Sequence, residues 1–197
     1  MRESVSSLGS DQVEKPKLSE EIRRQTAVNV ARCYQCGKCS AGCPLSADMD
    51  FPPSVIMRML QTGYPDLEKE VVGSHTVWLC LSCETCSVRC PMEIDIPKVM
   101  DSLRRESVRT RNVHPRARDI IAFHRSFLDS IRRLGRLYEV GLIIGYKARS
   151  RHLFQDVLLA PLMYIRGKLH LVPERIRERR RMRRIFSRTL NRKEPTP

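Results

Sequence analysis

The stretch that decides the fold is a cysteine motif that occurs twice in the chain. Its first copy reads Cys33-Tyr-Gln-Cys36-Gly-Lys-Cys39-Ser-Ala-Gly-Cys43-Pro44. The second copy begins 47 residues later and reads Cys80-Leu-Ser-Cys83-Glu-Thr-Cys86-Ser-Val-Arg-Cys90-Pro91. Both follow the spacing C-x2-C-x2-C-x3-C-P, which is typical of proteins that bind two [4Fe–4S] clusters. Together the copies use all 8 cysteines of the chain.

The spacing within each copy predicts how the cysteines divide between two clusters. A short loop with three cysteines can reach three irons of one cubane, so the fourth iron needs a ligand from elsewhere. The proline after the fourth cysteine disfavours helical backbone at that cysteine and helps to turn it away from its own loop. We therefore predict crossed ligation, with one cluster held by Cys33, Cys36, Cys39 and Cys90 and the other by Cys80, Cys83, Cys86 and Cys43.

Two other uses of these cysteines are less favoured. Zinc sites usually take separated Cys-x2–4-Cys pairs rather than two four-cysteine runs, each with a trailing proline. Disulfides need an oxidising compartment, and Met1–Lys17 has no apolar segment of the kind that directs secretion. We expect a cytoplasmic protein whose cysteines bind iron and sulfide.

Charge divides the 197 residues into two parts. Residues 1–103 carry 11 Lys and Arg against 14 Asp and Glu, a net charge of −3, whereas residues 104–197 carry 25 against 8, a net charge of +17. The longest segment without a charged residue, Val71–Cys83, is shorter than the roughly 20 residues that a membrane-spanning helix needs. We predict a flexible leader over 1–17, a helical two-cluster domain over 18–110 and a basic helical extension over 111–197.

Apolar periodicity predicts a mainly helical chain, because no segment alternates in the manner of a half-buried strand. Ser19 is the predicted N-cap of the first helix. In the segment 116–134 the predicted apolar face comprises Ile120, Phe127, Leu128, Ile131 and Leu134. The predicted helices are Leu18–Arg32, Pro52–Thr62, Pro65–Val72, a helix from near Pro97 to a break at His114–Pro115, Arg116–Leu134, Leu137–Tyr146, Val157–Ile165 and Glu174–Leu190.

Several segments, the cysteine motifs among them, resemble the C subunit of heterodisulfide reductase and its relatives. They are Cys33–Cys43 with its Gly-Lys and Ala-Gly pairs, Trp78–Pro91, the region around Phe127–Tyr146 and the basic segment Gly167–Pro173. The resemblance implies an α-helical ferredoxin with two [4Fe–4S] clusters and no substrate site of its own. It also implies that the chain relays single electrons between a flavin-containing A-type subunit and a catalytic, cysteine-rich B-type subunit. All eight ligand positions of the family are present.

The basic half admits several partners. We favour docking to an acidic partner subunit, because arginine suits bidentate pairing with carboxylates. Solvated charge comes next, then contact of Glu174–Leu190 with a membrane surface. Nucleic acid comes last, since few aromatic residues accompany the arginines. The alternative function is a free-standing, diffusible dicluster ferredoxin, which needs no such arm, and a third is an iron–sulfur regulator that binds DNA.

Overall fold

The computed structural model of the protein describes residues 17–150, 163, 165–167, 176 and 178–190. Over these residues the secondary structure is helical and includes no strand, which confirms the predicted fold class. The chain divides into two compact units, Met1–Val113 and His114–Pro197. The boundaries predicted at 17/18 and 110/111 stay predictions, and the leader lies outside the described residues except for Lys17.

In the first unit, a short helix leads directly into each cysteine motif and a longer helix follows it. Proline occupies the first turn of three of the helices, where its missing N–H leaves no helical hydrogen bond unmade. The α-helices of the described part of this unit are α1 (Leu18–Thr26), α2 (Lys38–Ala41), α3 (Pro53–Thr62), α4 (Pro65–Gly73), α5 (Thr76–Leu79), α6 (Thr85–Arg89) and α7 (Ile96–Arg109), with a 3-10 helix at Val30–Arg32.

The single helix predicted over Leu18–Arg32 is wrong. Helix α1 ends at Thr26, and Ala27 follows with a left-handed φ of 60°. The break allows Val28 and Val30 both to enter the core, whereas residues two apart on one helix point to different sides. Ser19 is not the N-cap either, because the helix already begins at Leu18, whose N–H donates to Glu68 Oε1 at 2.9 Å.

Helices α3 and α7 carry the same apolar pattern and form the centre of the core. Three side chains of each helix have 0% exposure at matching positions: Ile56, Met57 and Leu60 in α3, and Val99, Met100 and Leu103 in α7. Burial of each such side chain contributes about 1.5–3 kcal/mol. Helix α2 packs on α3, α6 packs on α7, and α2 and α6 contact each other. The internal repeat therefore extends from the cysteine motifs into the helices that support them.

The two cysteine motifs also share an unusual backbone. Left-handed φ values occur at the second and fourth residues after the first cysteine of each motif, at Gln35 and Gly37 in one copy and at Ser82 and Glu84 in the other. The φ of Gly37 is 76° and that of Glu84 is 61°. Glycine adopts this conformation without steric cost, whereas a residue with a Cβ loses roughly 1–2 kcal/mol. Glu84 is therefore a strained position that glycine would relieve.

The second unit is built on α8 (Ala117–Leu134), α9 (Glu139–Ser150) and α10 (Arg179–Leu190), and α8 contacts both other helices. The apolar face predicted for α8 is wrong in part: its buried residues are small ones, Ala117, Ala122, Ser126 and Ser130, whereas Leu128 is 50% exposed. Small side chains allow α9 to approach closely. Gly135, with a φ of 86°, ends α8.

Polar and aromatic contacts join α8 to α9. The rings of Phe123 and Tyr146 meet edge to face, with centroids 6.2 Å apart. Arg149 of α9 donates to Ser126 Oγ at 2.9 Å and pairs with Asp129. Most of the predicted helix Val157–Ile165 lies outside the described residues, as do parts of Glu174–Leu190. None of the helices in the described ranges combines the length and apolarity needed to cross a membrane.

We expect the substitution Glu84→Gly to stabilise the protein by about 0.5–1 kcal/mol, because relief of the left-handed strain exceeds the entropy that glycine adds to the unfolded chain. Glu84→Ala is the matched control, since it removes the same carboxylate and keeps the Cβ. Guanidinium denaturation of the anaerobically purified protein, followed by circular dichroism, should give a higher midpoint for Glu84→Gly alone. Equal midpoints for the two variants would show that strain at this position is not significant.

Candidate metal centre

Two loops, the first Cys33–Pro44 and the second Cys80–Pro91, place the eight cysteines. Each loop begins where a short helix ends, since Cys33 caps the 3-10 helix and Cys80 caps α5. The second cysteine of each loop, Cys36 or Cys83, is exposed, and the third lies in a short helix, Cys39 in α2 and Cys86 in α6. In both loops, therefore, the second cysteine is the most exposed of the four.

One pocket brings the fourth cysteine of the first loop to the second loop. Its cysteines are Cys43, Cys80, Cys83 and Cys86, and apolar residues such as Met49, Ile96 and Met100 line the rest of it. Cys43 thus lies beside the first three cysteines of the other copy. These four residues are the set that the sequence predicts for one cluster.

The pKa of Tyr34, in the first loop, is affected by cysteines of both loops. The pKa of its phenol is raised, first by desolvation, then by a hydrogen bond with Cys36 and by the charges of Cys36, Cys90 and Cys33. The charge of Cys90, from the second loop, thus acts on the same phenol as the charges of two cysteines of the first. The charge of Cys33 likewise contributes to the raised pKa of Cys39.

The two loops also contact each other directly. The side chain of Arg89 lies against Gly42, where a Cβ would come within 2.5 Å of the guanidinium. Cys86 and Cys39 are near enough to interact electrostatically. Glycine at position 42 therefore provides the space that the second loop needs to pass beside Cys43.

The burial of the thiols affects their ionisation. Desolvation is the main reason why the pKa of Cys39 is raised and why that of Cys86 is raised to about 11. In contrast, a hydrogen bond with Thr85 lowers the pKa of exposed Cys83. A metal-bound cysteine is a thiolate, so binding at Cys39 and Cys86 must displace protons that burial alone would retain. A bound cation offsets the cost of burying those charges.

Each loop is fastened by one polar side chain from the long helix that follows it, and we call these two residues the anchors. Gln61 of α3 donates through Nε2 to the carbonyl oxygens of Val30, at 3.2 Å, and of Cys33, at 2.6 Å. Arg104 of α7 donates through Nε to the carbonyl of Val77, at 2.8 Å, and through Nη2 to that of Cys80. Val30 and Val77 each precede the first cysteine by three residues, so both anchors hold the same two carbonyls.

Each anchor also contacts the left-handed residue two positions after the first cysteine of its loop. Gln35 Nε2 donates to Gln61 Oε1 at 3.2 Å, and Arg104 Nη1 donates to Ser82 Oγ at 3.4 Å. Sequence reasoning missed both anchors because it treated the repeat as a cysteine pattern alone. The signal was present, since Arg104 follows Gln61 by 43 residues, the same interval that relates Leu103 to Leu60.

Several observations test whether these residues fit iron–sulfur clusters. The candidate ligands are all thiols, none of them in a disulfide, and soft thiolate sets suit iron–sulfur clusters. Trp78 Nε1 and Ser87 Oγ, close in sequence to Cys80 and Cys86, are buried and have no hydrogen-bond partner within the described structure. Because buried donors normally have partners, acceptor sulfur atoms nearby would satisfy them.

No three His, Cys, Asp or Glu side chains in the described ranges converge as the ligands of a single ion would. A cubane requires no such convergence, because each of its four irons takes its own thiolate. The residues therefore fit clusters.

Comparison with known proteins agrees with this chemistry. The 4Fe–4S dicluster domain family matches residues 29–94. The iron–sulfur C subunit of the CoB–CoM heterodisulfide reductase of Methanopyrus kandleri is 36% identical over 68 residues, which are 32% of this chain and 34% of that relative. The C subunit of the H2:CoB–CoM heterodisulfide,ferredoxin reductase of Methanothermobacter marburgensis is 27% identical over 107 residues, 54% of this chain and 56% of the relative.

A longer alignment joins the chain to an iron–sulfur C subunit, the one numbered 2, of the CoB–CoM heterodisulfide reductase of Methanocaldococcus jannaschii. It has 25% identity over 133 residues, 68% of this chain and 67% of the relative. In the first two alignments the chain spans between about a third and just over half of the relatives' length. Residues 29–94 thus match the 4Fe–4S dicluster domain family, and the chain is similar to C subunits of heterodisulfide reductases.

Proposed function

We propose that the chain holds two [4Fe–4S] clusters with crossed ligation and carries electrons between them. The observation that carries this proposal is the pocket in which Cys43 joins Cys80, Cys83 and Cys86. The effect of Cys33, Cys36 and Cys90 on the pKa of Tyr34 supports the complementary set. Each cluster accepts and releases one electron at a time, and crossing ties the two sites into one rigid core.

The surface around the loops supports two separate exits, by which we mean two positions where a partner can exchange electrons with a cluster. The residue after the first cysteine is large, apolar and exposed in both copies: Tyr34 is 58% exposed and Leu81 is 71% exposed. Exposed apolar side chains beside a redox site provide contact surface for a partner. Because one such residue lies at each loop, each cluster has its own docking position.

We further propose that the two partners are a flavin-containing A-type subunit and a catalytic, cysteine-rich B-type subunit of a cytoplasmic heterodisulfide reductase-like complex. The relatives of the chain are named as subunits of heterodisulfide reductases, which supports membership of a complex. In this arrangement one loop exchanges electrons with the first partner and the other loop with the second.

The second unit supports attachment to an acidic surface. A groove on α8 and α10 is lined by five arginines, Arg132, Arg133, Arg180, Arg183 and Arg184, together with Asp129 and Ser187. Asp129 already pairs with Arg149, so it neutralises little of this charge. Guanidinium groups in such an array match carboxylates on a partner. A diffusible dicluster ferredoxin, the second candidate, has no evident use for this groove.

The crossed ligation predicts which pairs of cysteines share a cluster. The double variant Cys43→Ser/Cys80→Ser removes two ligands of one predicted cluster, so it should retain about four iron atoms per chain after anaerobic reconstitution. The control Cys33→Ser/Cys43→Ser removes one ligand from each cluster and should retain fewer. Iron and acid-labile sulfide assays measure both. If the control instead keeps one intact cluster and the first variant loses both, each loop binds its own cluster and the crossing is wrong.

The two-exit arrangement predicts separable effects on electron exchange. In the reconstituted complex, Tyr34→Ser should slow exchange with one partner subunit and Leu81→Ser exchange with the other, as measured by stopped-flow absorbance of each half-reaction. Tyr64→Ser is the matched control, because Tyr64 is 66% exposed and precedes α4, outside both loops. If the chain is a shuttle that uses one surface for both partners, a single variant should slow both half-reactions. That result would contradict the relay.

A further inference from the structure

We infer that Arg104 raises the reduction potential of the cluster bound by the second loop above the value that glutamine would give at the same place. The inference rests on the proposed clusters, although not on their crossing, because Arg104 contacts the loop that supplies Cys80, Cys83 and Cys86 in either case. It assigns the two anchors a second role beyond fastening the loops: one charged and one neutral group set the two potentials independently.

The two anchors make equivalent hydrogen bonds but differ in charge. Gln61 and Arg104 hold the same pair of carbonyls in their respective loops, and both contact the residue two positions after the first cysteine. A glutamine therefore suffices to fasten a loop of this shape. At the second loop, arginine adds a permanent positive charge that is hydrogen-bonded to the backbone carbonyl of Cys80, the first candidate ligand.

Burial makes this charge more effective than its neighbours. The Arg104 side chain is only 24% exposed, whereas its partner Asp101, at 2.7 Å from Nη1, is 56% exposed. Water screens an exposed charge far more strongly than a half-buried one. The equivalent of Asp101 in the first copy is Arg58, which is exposed as well. The two copies thus differ in polar groups at two pairs of positions, Gln61 and Arg104, and Arg58 and Asp101. The anchors are the pair that water screens less.

The sign of the effect follows from the charge of the electron. Reduction adds one negative charge to a cluster, and a nearby positive charge stabilises the reduced state more than the oxidised state. The guanidinium thus favours an electron on the second-loop cluster. Removing it should lower that potential, and placing an arginine at position 61 should raise the potential of the first-loop cluster.

The test is an EPR-monitored redox titration of the full, cluster-loaded chain. Arg104→Gln should shift one of the two midpoint potentials downward and leave the other in place, while Gln61→Arg should shift the other one upward. Arg109→Gln is the matched control: it removes the same charge from α7 at a side chain that is 64% exposed and paired with Glu106, and it should shift neither. Asp101→Asn should raise the second-loop potential.

The outcomes separate this inference from the proposed function. Equal shifts for Arg104→Gln and Arg109→Gln, or no shift for either, would overturn the role of Arg104 while two clusters still titrate. About four iron atoms and one reducible spin per unmodified chain would overturn the two-cluster proposal instead. A single wave of two spins would mean two clusters of equal potential, and Arg104→Gln should then split that wave in two. If Arg104→Gln cannot be loaded, Gln61→Arg decides: an unmoved first-loop potential contradicts the inference.

Discussion

The contact between α2 and α6 is the interaction on which the first unit depends. Each of these helices has only four or five residues, too few to be stable alone, because helix nucleation costs more than one turn returns. Their mutual packing, with Cys39 buried in the core, brings the two loops side by side. The placement of Cys43 beside the second loop follows from this contact.

Around that contact the molecule is built as two similar halves that differ in a few chemically important residues. Equivalent apolar triads on α3 and α7 fix the halves on one core, and equivalent anchors fasten the loops. The differences lie at Gly37 and Glu84, at Tyr34 and Leu81, and at Gln61 and Arg104. A duplicated frame can therefore hold two sites at constant geometry while their charge and exposed surface change separately.

The sequence predicted most of the helices, because helical periodicity is a local signal. Cysteine spacing is also local and names the candidate ligands, whose binding stays a prediction. The sequence failed where tertiary packing overrides these local signals. Ala27 breaks the first helix so that Val28 and Val30 can both be buried, and α8 buries Ser126 and Ser130 rather than Leu128 because α9 approaches closely. The anchors bond to backbone carbonyls 24–31 residues away, a pairing that no local pattern records, although the offset repeat of α3 and α7 would have aligned them.

The most direct measurement of the central claim is the EPR spectrum of the fully reduced chain. The proposed crossed ligation would hold two cubanes within one small core, close enough for their unpaired spins to interact. The expected result is a broadened, split signal that integrates to about two spins per chain. A sharp, unsplit signal of about one spin, or an EPR-silent protein that contains zinc, would contradict it.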